Sequence, residues 1–500
     1  MARKTETDLF ELIKSLDKGE KKSFTLIANY YSDGDKSHIR LFEIIDAQKN
    51  YDEEKINLLF KKEKIKSPLP RVKNYLQEII LKTLRFHHSG KTIESEIREL
   101  VADAEIFHAK GLQKLKTRRL EKAKSIAIRY QKHELSLEIL NKVWKYKADY
   151  SNKKTLSEYE NLTAKIILKR KYQQLAQDSM LLLKDGLVRN QYIKKDWEKI
   201  ILNPLMSKKN EPTGFEDNHF YHNIYLVYYE RTNQIHKTKY HLELMLKNFE
   251  SHPELISEWN SMYYSTLGNL VVILCASKEI EKAEESMNKL LDMQDWNLSL
   301  VDKKNLNNYI AIANCNLLRG ALFVRKFNDG LRIAKQAQLF ITQNAVPLQY
   351  KTQLLLTLTN FHFCIGNYSE ALKWNNKQLN ESVESQKEDD FAFAKIFNLI
   401  IHYELGNEEQ LPYLMRSTYR FLNKSKRLYK TEDVILRFMQ TSLFTSNSKK
   451  EEVFKKLKTD ILKISKNQFE AKIIDHFDFI SWLESKIDNK PFIEILREKE

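Results

Sequence analysis

One pair of histidines has the spacing of a metal site. His219 and His222 lie three residues apart, just after Asp217, at the predicted start of a helix. This spacing would place two imidazoles on one helix face, where a metal ion could bind both. The same histidines would also serve as capping and packing groups beside the aromatic residues between 220 and 229. We favour packing, so we expect no metal at this position.

The other residues with catalytic potential are not arranged for catalysis. His87 and His88 are adjacent, so their side chains point apart on a helix, and His236 and His241 are poorly spaced for joint binding. The glycines are isolated, so no phosphate-binding glycine loop can be written. Serines and cysteines lack a recognisable basic partner. We therefore expect a protein that is not an enzyme and holds no cofactor.

Three cysteines, Cys275, Cys315 and Cys364, lie far apart in apolar helical runs. We expect them to be buried free thiols in a protein of a reducing compartment. The first six residues are not an apolar signal segment. The longest apolar run, 270–276, is much shorter than the ~20 residues that cross a bilayer. These features predict a cytoplasmic protein that does not enter the membrane.

Composition predicts an all-helical fold. The 500 residues include only 11 glycines and 8 prolines, and 42% of them are hydrophobic. Few helix breakers, together with many leucine, lysine, glutamate and isoleucine residues, favour long helices joined by short turns. A sheet-rich chain would need more glycine at its turns.

Residues 355–374 indicate how these helices are arranged. Apolar residues recur three and four apart on both sides of Gly366, which predicts two helices and a tight turn. Gly366 can adopt the positive φ that ends a helix. Tyr368 opens the second helix, and Ala371 is small enough to let the two helices approach closely. This pattern of glycine, aromatic residue and alanine resembles one tetratricopeptide-repeat unit.

The same pattern recurs in weaker form along the chain. Aligning the small residue of each second helix gives spacings of 45, 47, 41 and 40 residues. The aligned positions are Thr238, Ala283, Gly330, Ala371 and Leu411, preceded three residues earlier by Ile235, Ile280, Phe327, Tyr368 and Glu408. Glycine precedes the turn only at Gly366 and Gly406. The resemblance implies a right-handed α-solenoid of degenerate, tetratricopeptide-like helix-turn-helix repeats.

The order of these patterns predicts five segments. Residues 1–90 form a helical N-terminal domain, 91–202 are basic helical hairpins with degenerate repeats, and 203–215 are a loop or junction. Residues 216–430 hold the tetratricopeptide-like repeats, and 431–500 form a C-terminal helical cap. The segments from Leu12 to Leu16 and from Leu41 to Asp46 are also similar to parts of bacterial helical-repeat proteins, a resemblance that implies no particular activity.

A tetratricopeptide-like array implies a concave surface lined by the first helix of each pair. The candidate groove residues on those helices are Tyr228, Asn269, Asn316, Asn360 and His362. An asparagine amide offers a donor and an acceptor together, which suits an extended peptide backbone. We therefore expect a scaffold or adaptor that binds a protein or peptide.

The positive charge is concentrated in one window of the sequence. The net charge is +16, and residues 110–171 hold 18 lysines and arginines against 6 aspartates and glutamates. The candidate basic face of this window consists of Lys114, Arg118, Arg119, Lys122 and Arg129. Such a face favours an acidic partner protein.

Nucleic acid is the alternative partner. Residues 39–88 include two helices that loosely resemble a helix-turn-helix, and the basic stretch 110–171 would attract phosphates. In that interpretation Arg71, Lys73, Asn74 and Gln77 face a major groove. Pro70 lies early in the second helix, however, and any helical hairpin gives a similar pattern. We therefore rank a nucleic-acid-binding or transcription-regulatory protein second.

Overall fold

The computed structural model describes residues 7–30, 36–62, 67–90, 92–147, 153–183, 191–381, 388–467 and 476–499. Within these ranges the chain forms 24 α-helices and no strand, which confirms the predicted all-helical class. None of the described helices combines the length and the apolar composition needed to span a bilayer. Residues 1–6, on which the prediction about a signal segment rests, lie outside the described ranges. The chain divides into two compact units, 1–167 and 168–500.

The first unit contains two groups of helices, each around its own apolar core. Its helices are α1 (Asp8–Ser15), α2 (Lys18–Tyr30), α3 (Ser37–Asp46), α4 (Glu53–Lys62), α5 (Leu69–His87), α6 (Ile93–Ala109), α7 (Gln113–Arg129), α8 (His133–Lys147) and the first part of α9 (Lys153–Leu183). Helices α1 to α5 share a core that includes Ile13, Leu41 and Ile80. Helices α6 to α8 share another, around Ala104 and Ala123.

The second unit continues from α9. Its further helices are α10 (Gln191–Ile201), α11 (Phe215–Arg231), α12 (Ile235–Glu250), α13 (Asn260–Ala276), α14 (Ile280–Asp292), α15 (Leu300–Phe323), α16 (Phe327–Gln343), α17 (Leu348–Cys364), α18 (Tyr368–Asn380), α19 (Glu388–Glu404), α20 (Leu411–Lys424), α21 (Lys430–Phe444), α22 (Asn447–Ile464), α23 (Phe479–Ile487) and α24 (Phe492–Glu498). From α11 to α18 consecutive helices pack as pairs. The first helices of three pairs also touch, because α13 packs against α15 and α15 against α17.

The same backbone geometry ends the first helix of each of these four pairs and forms the turn to the second helix. The first helices of the pairs are followed by residues with positive φ, which are Asn233 (55°), Lys278 (64°), Arg325 (62°) and Gly366 (78°). The next residue donates its N–H to a carbonyl five positions back, at 2.8–2.9 Å, in the pairs Gln234–Tyr229, Glu279–Leu274, Lys326–Ala321 and Asn367–His362. This is the Schellman arrangement. The sequence showed it only at Gly366 because the other three turns use larger residues.

In the first four pairs, the second helix begins three residues before the aligned small residue. Helices α12, α14, α16 and α18 start at Ile235, Ile280, Phe327 and Tyr368. The fifth aligned position differs, because α20 starts at Leu411 itself and not three residues earlier at Glu408. The reason is Pro412, which has no N–H to donate and is tolerated only in the first turn of a helix.

The small residue of the second helix is a point of close packing. Gly330 on α16 faces α17, and a Cβ added there would lie 2.3 Å from Cε2 of Phe361. Ala283 and Ala371, at the equivalent positions of α14 and α18, are completely buried. A larger side chain at these positions would therefore push neighbouring helices apart.

The predicted junction at 203–215 is folded rather than open. It contains two short 3-10 helices, Pro204–Met206 and Lys208–Asn210. The Tyr172 hydroxyl lies 3.0 Å from the carbonyl oxygen of Leu205 and 2.9 Å from that of Asn210. The boundary between the two compact units falls within α9. Turn residues such as Pro204 signal a change of chain direction, which is compatible with tight packing.

Candidate functional site

Two of the predicted groove residues occupy equivalent positions. Asn269 on α13 and Asn316 on α15 each lie nine residues before the positive-φ residue of their pair, Lys278 or Arg325. Asn269 is exposed, whereas Asn316 is half-buried and donates from its amide to the Ile312 carbonyl of its own helix, at 2.9 Å. Since α13 and α15 pack together, the two side chains share one register on adjacent helices.

Asn360 and His362 on α17 are engaged inside the molecule. Asn360 lies six residues before Gly366, not nine, and its amide donates to the His476 carbonyl at 2.8 Å. His362 is 5% exposed, and its Nε2 lies 2.7 Å from the Gln338 amide nitrogen. Burial lowers the pKa of His362. A bound peptide would not reach this imidazole without moving α17.

Tyr228, the remaining groove candidate, belongs to an aromatic cluster. It is half-buried on α11, and its ring centroid lies 6.1 Å from that of Trp197 on α10 and 5.2 Å from that of Tyr229. This part of the aromatic run between 220 and 229 therefore packs between helices α10 and α11.

The candidate basic face lies along α7. Lys114 and Arg118 are exposed. Arg119 Nε lies 3.3 Å from an Asp103 carboxylate oxygen, and Lys122 Nζ lies 3.4 Å from a Glu96 carboxylate oxygen. Arg129 is exposed, with its guanidinium 5.6 Å from the Tyr130 ring.

Much of the surrounding positive charge is neutralised by the preceding helix. Lys132 pairs with Glu94 and Lys142 with Glu105, and both carboxylates lie on α6. Helix α6 carries five carboxylates and one arginine. It lies outside the window 110–171 in which we counted charge, so the sequence count overstated the field at this surface.

Of the four residues expected to contact DNA, three are exposed and one forms an ion pair. Arg71, Asn74 and Gln77 are exposed on α5. Lys73 Nζ, in contrast, lies 2.7 Å from a carboxylate oxygen of Glu53 on α4. A phosphate would have to compete with that carboxylate for Lys73.

The histidines come together in a different combination from the one the spacing indicated. Nδ1 of His222 lies 3.0 Å from Nδ1 of His241 on α12, and Nε2 of His222 lies 3.5 Å from Glu211. His219 is buried separately, against Phe249. Burial lowers the pKa of all three imidazoles to about 4. Among the residues with described positions, no three His, Cys, Asp or Glu side chains are grouped to hold a metal ion.

The cysteines are buried free thiols, as predicted. Burial raises the pKa of Cys275 and Cys364 to about 12 and that of Cys315 to about 11. These thiols are therefore protonated and unreactive at neutral pH.

A groove of about 720 Å³, which the sequence did not predict, lies between α20 and α21. We call it the α20–α21 groove, and its lining residues include Met415, Arg416, Tyr419, Arg420, Asp433, Leu436, Arg437, Leu443 and Phe444. A signal for it exists in the sequence, since Tyr419 and Phe444 are aromatic residues outside the apolar stripes that form the core.

The chain matches no known protein-family model and no curated protein sequence.

Proposed function

We propose that this chain is a non-enzymatic scaffold that binds a protein or peptide partner. One observation carries the proposal: the four helix pairs from α11 to α18 share the same closing turn and helix start, and the last three bury alanine or glycine at the aligned position of the second helix. We interpret the pairs as degenerate tetratricopeptide-like repeats of a right-handed α-solenoid, with other helical segments at its ends. Repeat arrays of this kind bind partners along the extended surface that their equivalent helices create.

Asn269 and Asn316 are the residues that we assign to this surface. Equivalent amides on adjacent helices suit a partner whose own backbone amides repeat at regular intervals. The exposed Lys114 and Arg118 on α7 support an acidic partner. The three buried thiols are compatible with a cytoplasmic location.

The test is capture of partners by the tagged full-length protein from its native cells, with and without nuclease, followed by mass spectrometry. We expect a stoichiometric protein partner that survives nuclease and is lost in the double variant Asn269→Arg/Asn316→Arg. Asn288→Arg, at an exposed position of α14, is the matched control and should retain the partner. Partners that disappear with nuclease would contradict the scaffold proposal.

Nucleic-acid binding by residues 39–88 and 110–171 is the second candidate. The exposed arginine and lysine on α7 favour it, whereas the ion pairs of Lys73, Arg119 and Lys122 count against it. A steep fall of affinity with salt would support it, because phosphate contacts release counterions. That affinity should then fall in the double variant Lys114→Glu/Arg118→Glu.

A further inference from the structure

The α20–α21 groove combines an apolar floor with an exposed aromatic rim. Met415, Leu436 and Leu443 form the floor and are at least half-buried. Tyr419 and Phe444 stand at the rim, 48% and 84% exposed. Large apolar side chains that cluster at an open groove are typical of a binding surface, because leaving them in water is unfavourable.

The rim also carries three arginines, two of which form no ion pair within the described part of the chain. Arg437 Nη2 lies 2.7 Å from Asp433, one turn earlier on α21. Arg416 only donates from Nε to the Pro412 carbonyl, at 3.3 Å. In the described part of the chain neither Arg416 nor Arg420 forms an ion pair. Two guanidinium groups are therefore available to carboxylates of a bound molecule.

The dimensions of the groove suit a helix. Its walls run from Pro412 to Arg420 on α20 and from Asp433 to Phe444 on α21, which at 1.5 Å per residue is roughly 12 to 17 Å, or two to three turns. A channel between two helices is the surface into which the side-chain ridge of a third helix packs. A bound helix of two turns places apolar anchor side chains at positions i, i+3 or i+4, and i+7 against such a groove.

We propose that the α20–α21 groove binds an amphipathic α-helix of a partner protein, with an apolar face on the floor and aspartates or glutamates beside Arg416 and Arg420. This inference rests on the proposed scaffold function and names the chemistry of its partner. The aliphatic floor favours a protein over single-stranded nucleic acid, which binds chiefly by stacking bases on aromatic rings.

The first experiment selects ligands without assuming a sequence. A phage-displayed library of random peptides, each about 16 residues or four helical turns long, is selected on the full-length protein. The affinities of synthetic copies are then measured by fluorescence anisotropy. We expect helix-forming peptides with the apolar spacing given above and flanking acidic residues. A basic or proline-rich consensus, or the recovery of no binder, would overturn the inference.

Variants then locate the binding. Arg420→Glu reverses an unpaired rim charge, and Phe444→Ser removes the most exposed rim aromatic. Each should weaken peptide binding by about tenfold or more, and the effect of Arg420→Glu should shrink at high salt. Lys424→Glu and Tyr413→Ser are the matched controls, since both residues are exposed on α20 outside the groove. Circular dichroism melting verifies that every variant folds. If Phe444→Ser does not fold, Arg420→Glu alone tests whether the groove binds the peptides.

The outcomes separate this inference from the scaffold proposal. Equal peptide binding by wild type, groove variants and controls would overturn the proposal that the groove is the binding site. It would leave the proposal of a partner-binding surface elsewhere on the chain in place. A labelled DNA duplex or RNA strand that displaces the peptides and itself requires Arg420 would assign the groove to nucleic acid and overturn the inference. Failure to capture any nuclease-resistant protein from cells would contradict the scaffold proposal itself.

Discussion

The indole N–H of Trp482 on α23 donates a 2.6 Å hydrogen bond to Oε1 of Glu404, the last residue of α19. The other carboxylate oxygen, Oε2, lies 2.5 Å from Nζ of Lys486. The Glu404 side chain is only 4% exposed, so these donors replace water at its two oxygens. This carboxylate joins residues that are about eighty positions apart and holds α23 against α19.

Replacing Trp482 by Phe should destabilise the second unit. The side chain stays aromatic but loses three ring atoms at a fully buried site, which leaves a cavity. A buried carboxylate oxygen also loses its donor, which by itself costs about 1–3 kcal/mol. Urea denaturation followed by circular dichroism measures the loss. Lys490→Met, which breaks the exposed Lys490–Glu498 pair, is the control and should cause no measurable loss. Equal effects of the two variants would show that the Glu404 carboxylate does not depend on the indole.

Lys426→Gly should stabilise the protein. Lys426 closes α20 with φ of 56°, and the left-handed conformation costs a residue with a Cβ roughly 1–2 kcal/mol that glycine avoids. Glycine loses more entropy on folding, so the expected net gain is about 0.5–1 kcal/mol. Chemical denaturation measures it.

Lys424→Gly is the matched control, because Lys424 is the last residue of α20 and lies two positions earlier. Glycine there should destabilise by up to about 1 kcal/mol. Gly366→Ala tests the reverse change at the turn after α17 and should also destabilise. A loss of stability in Lys426→Gly would contradict the strain argument.

Gly330→Ala should be destabilising even though alanine favours helices. The new Cβ would overlap Phe361 Cε2, and overpacking of this kind costs typically about 1–3 kcal/mol. A double-mutant cycle with Phe361→Leu checks the cause, because a smaller side chain on α17 should recover part of the loss. Strict additivity of the two changes would rule out this contact as the source.

Stability should fall as the pH drops from about 6.5 to about 4. His219, His222 and His241 have a pKa of about 4 in the folded chain because they are buried, against about 6.5 when unfolded. The unfolded chain therefore binds more protons in this window. The contribution of the neutral imidazoles is complete above pH 6.5 and is lost toward pH 4.

His219→Leu tests one of these imidazoles. Nδ1 of His219 has no hydrogen-bond partner among the residues that the structure describes, so leucine removes a titrating group without breaking a described bond at that atom. The slope of unfolding free energy against pH should fall by about one proton, or about 1.4 kcal/mol per pH unit. Urea titrations at several pH values measure it, with the exposed His236→Gln as control. An unchanged slope in His219→Leu would contradict the expected titration.

The sequence alone determined the helical class, and the repeat alignment marked the starts of four of the fifteen described helices that begin in the second unit. Scarce glycine and proline leave helix as the main option, and apolar spacing fixes which face is buried. The starts of α12, α14, α16 and α18 followed from a small residue one turn into each helix, since that residue must fit under a neighbour. Lys278 and Arg325 were missed as turn residues because their strained φ follows from packing on both sides and not from their own preference.

Only the tertiary structure decided which side chains meet. The ion pairs of Arg119 and Lys122 on α7 with α6, the pairing of His222 with His241 and the Glu404–Trp482 bond all join separate helices. Spacing along one helix contains no information about such neighbours. The α20–α21 groove has the same origin, because a groove is the space left between two helices and depends on how far apart packing holds them.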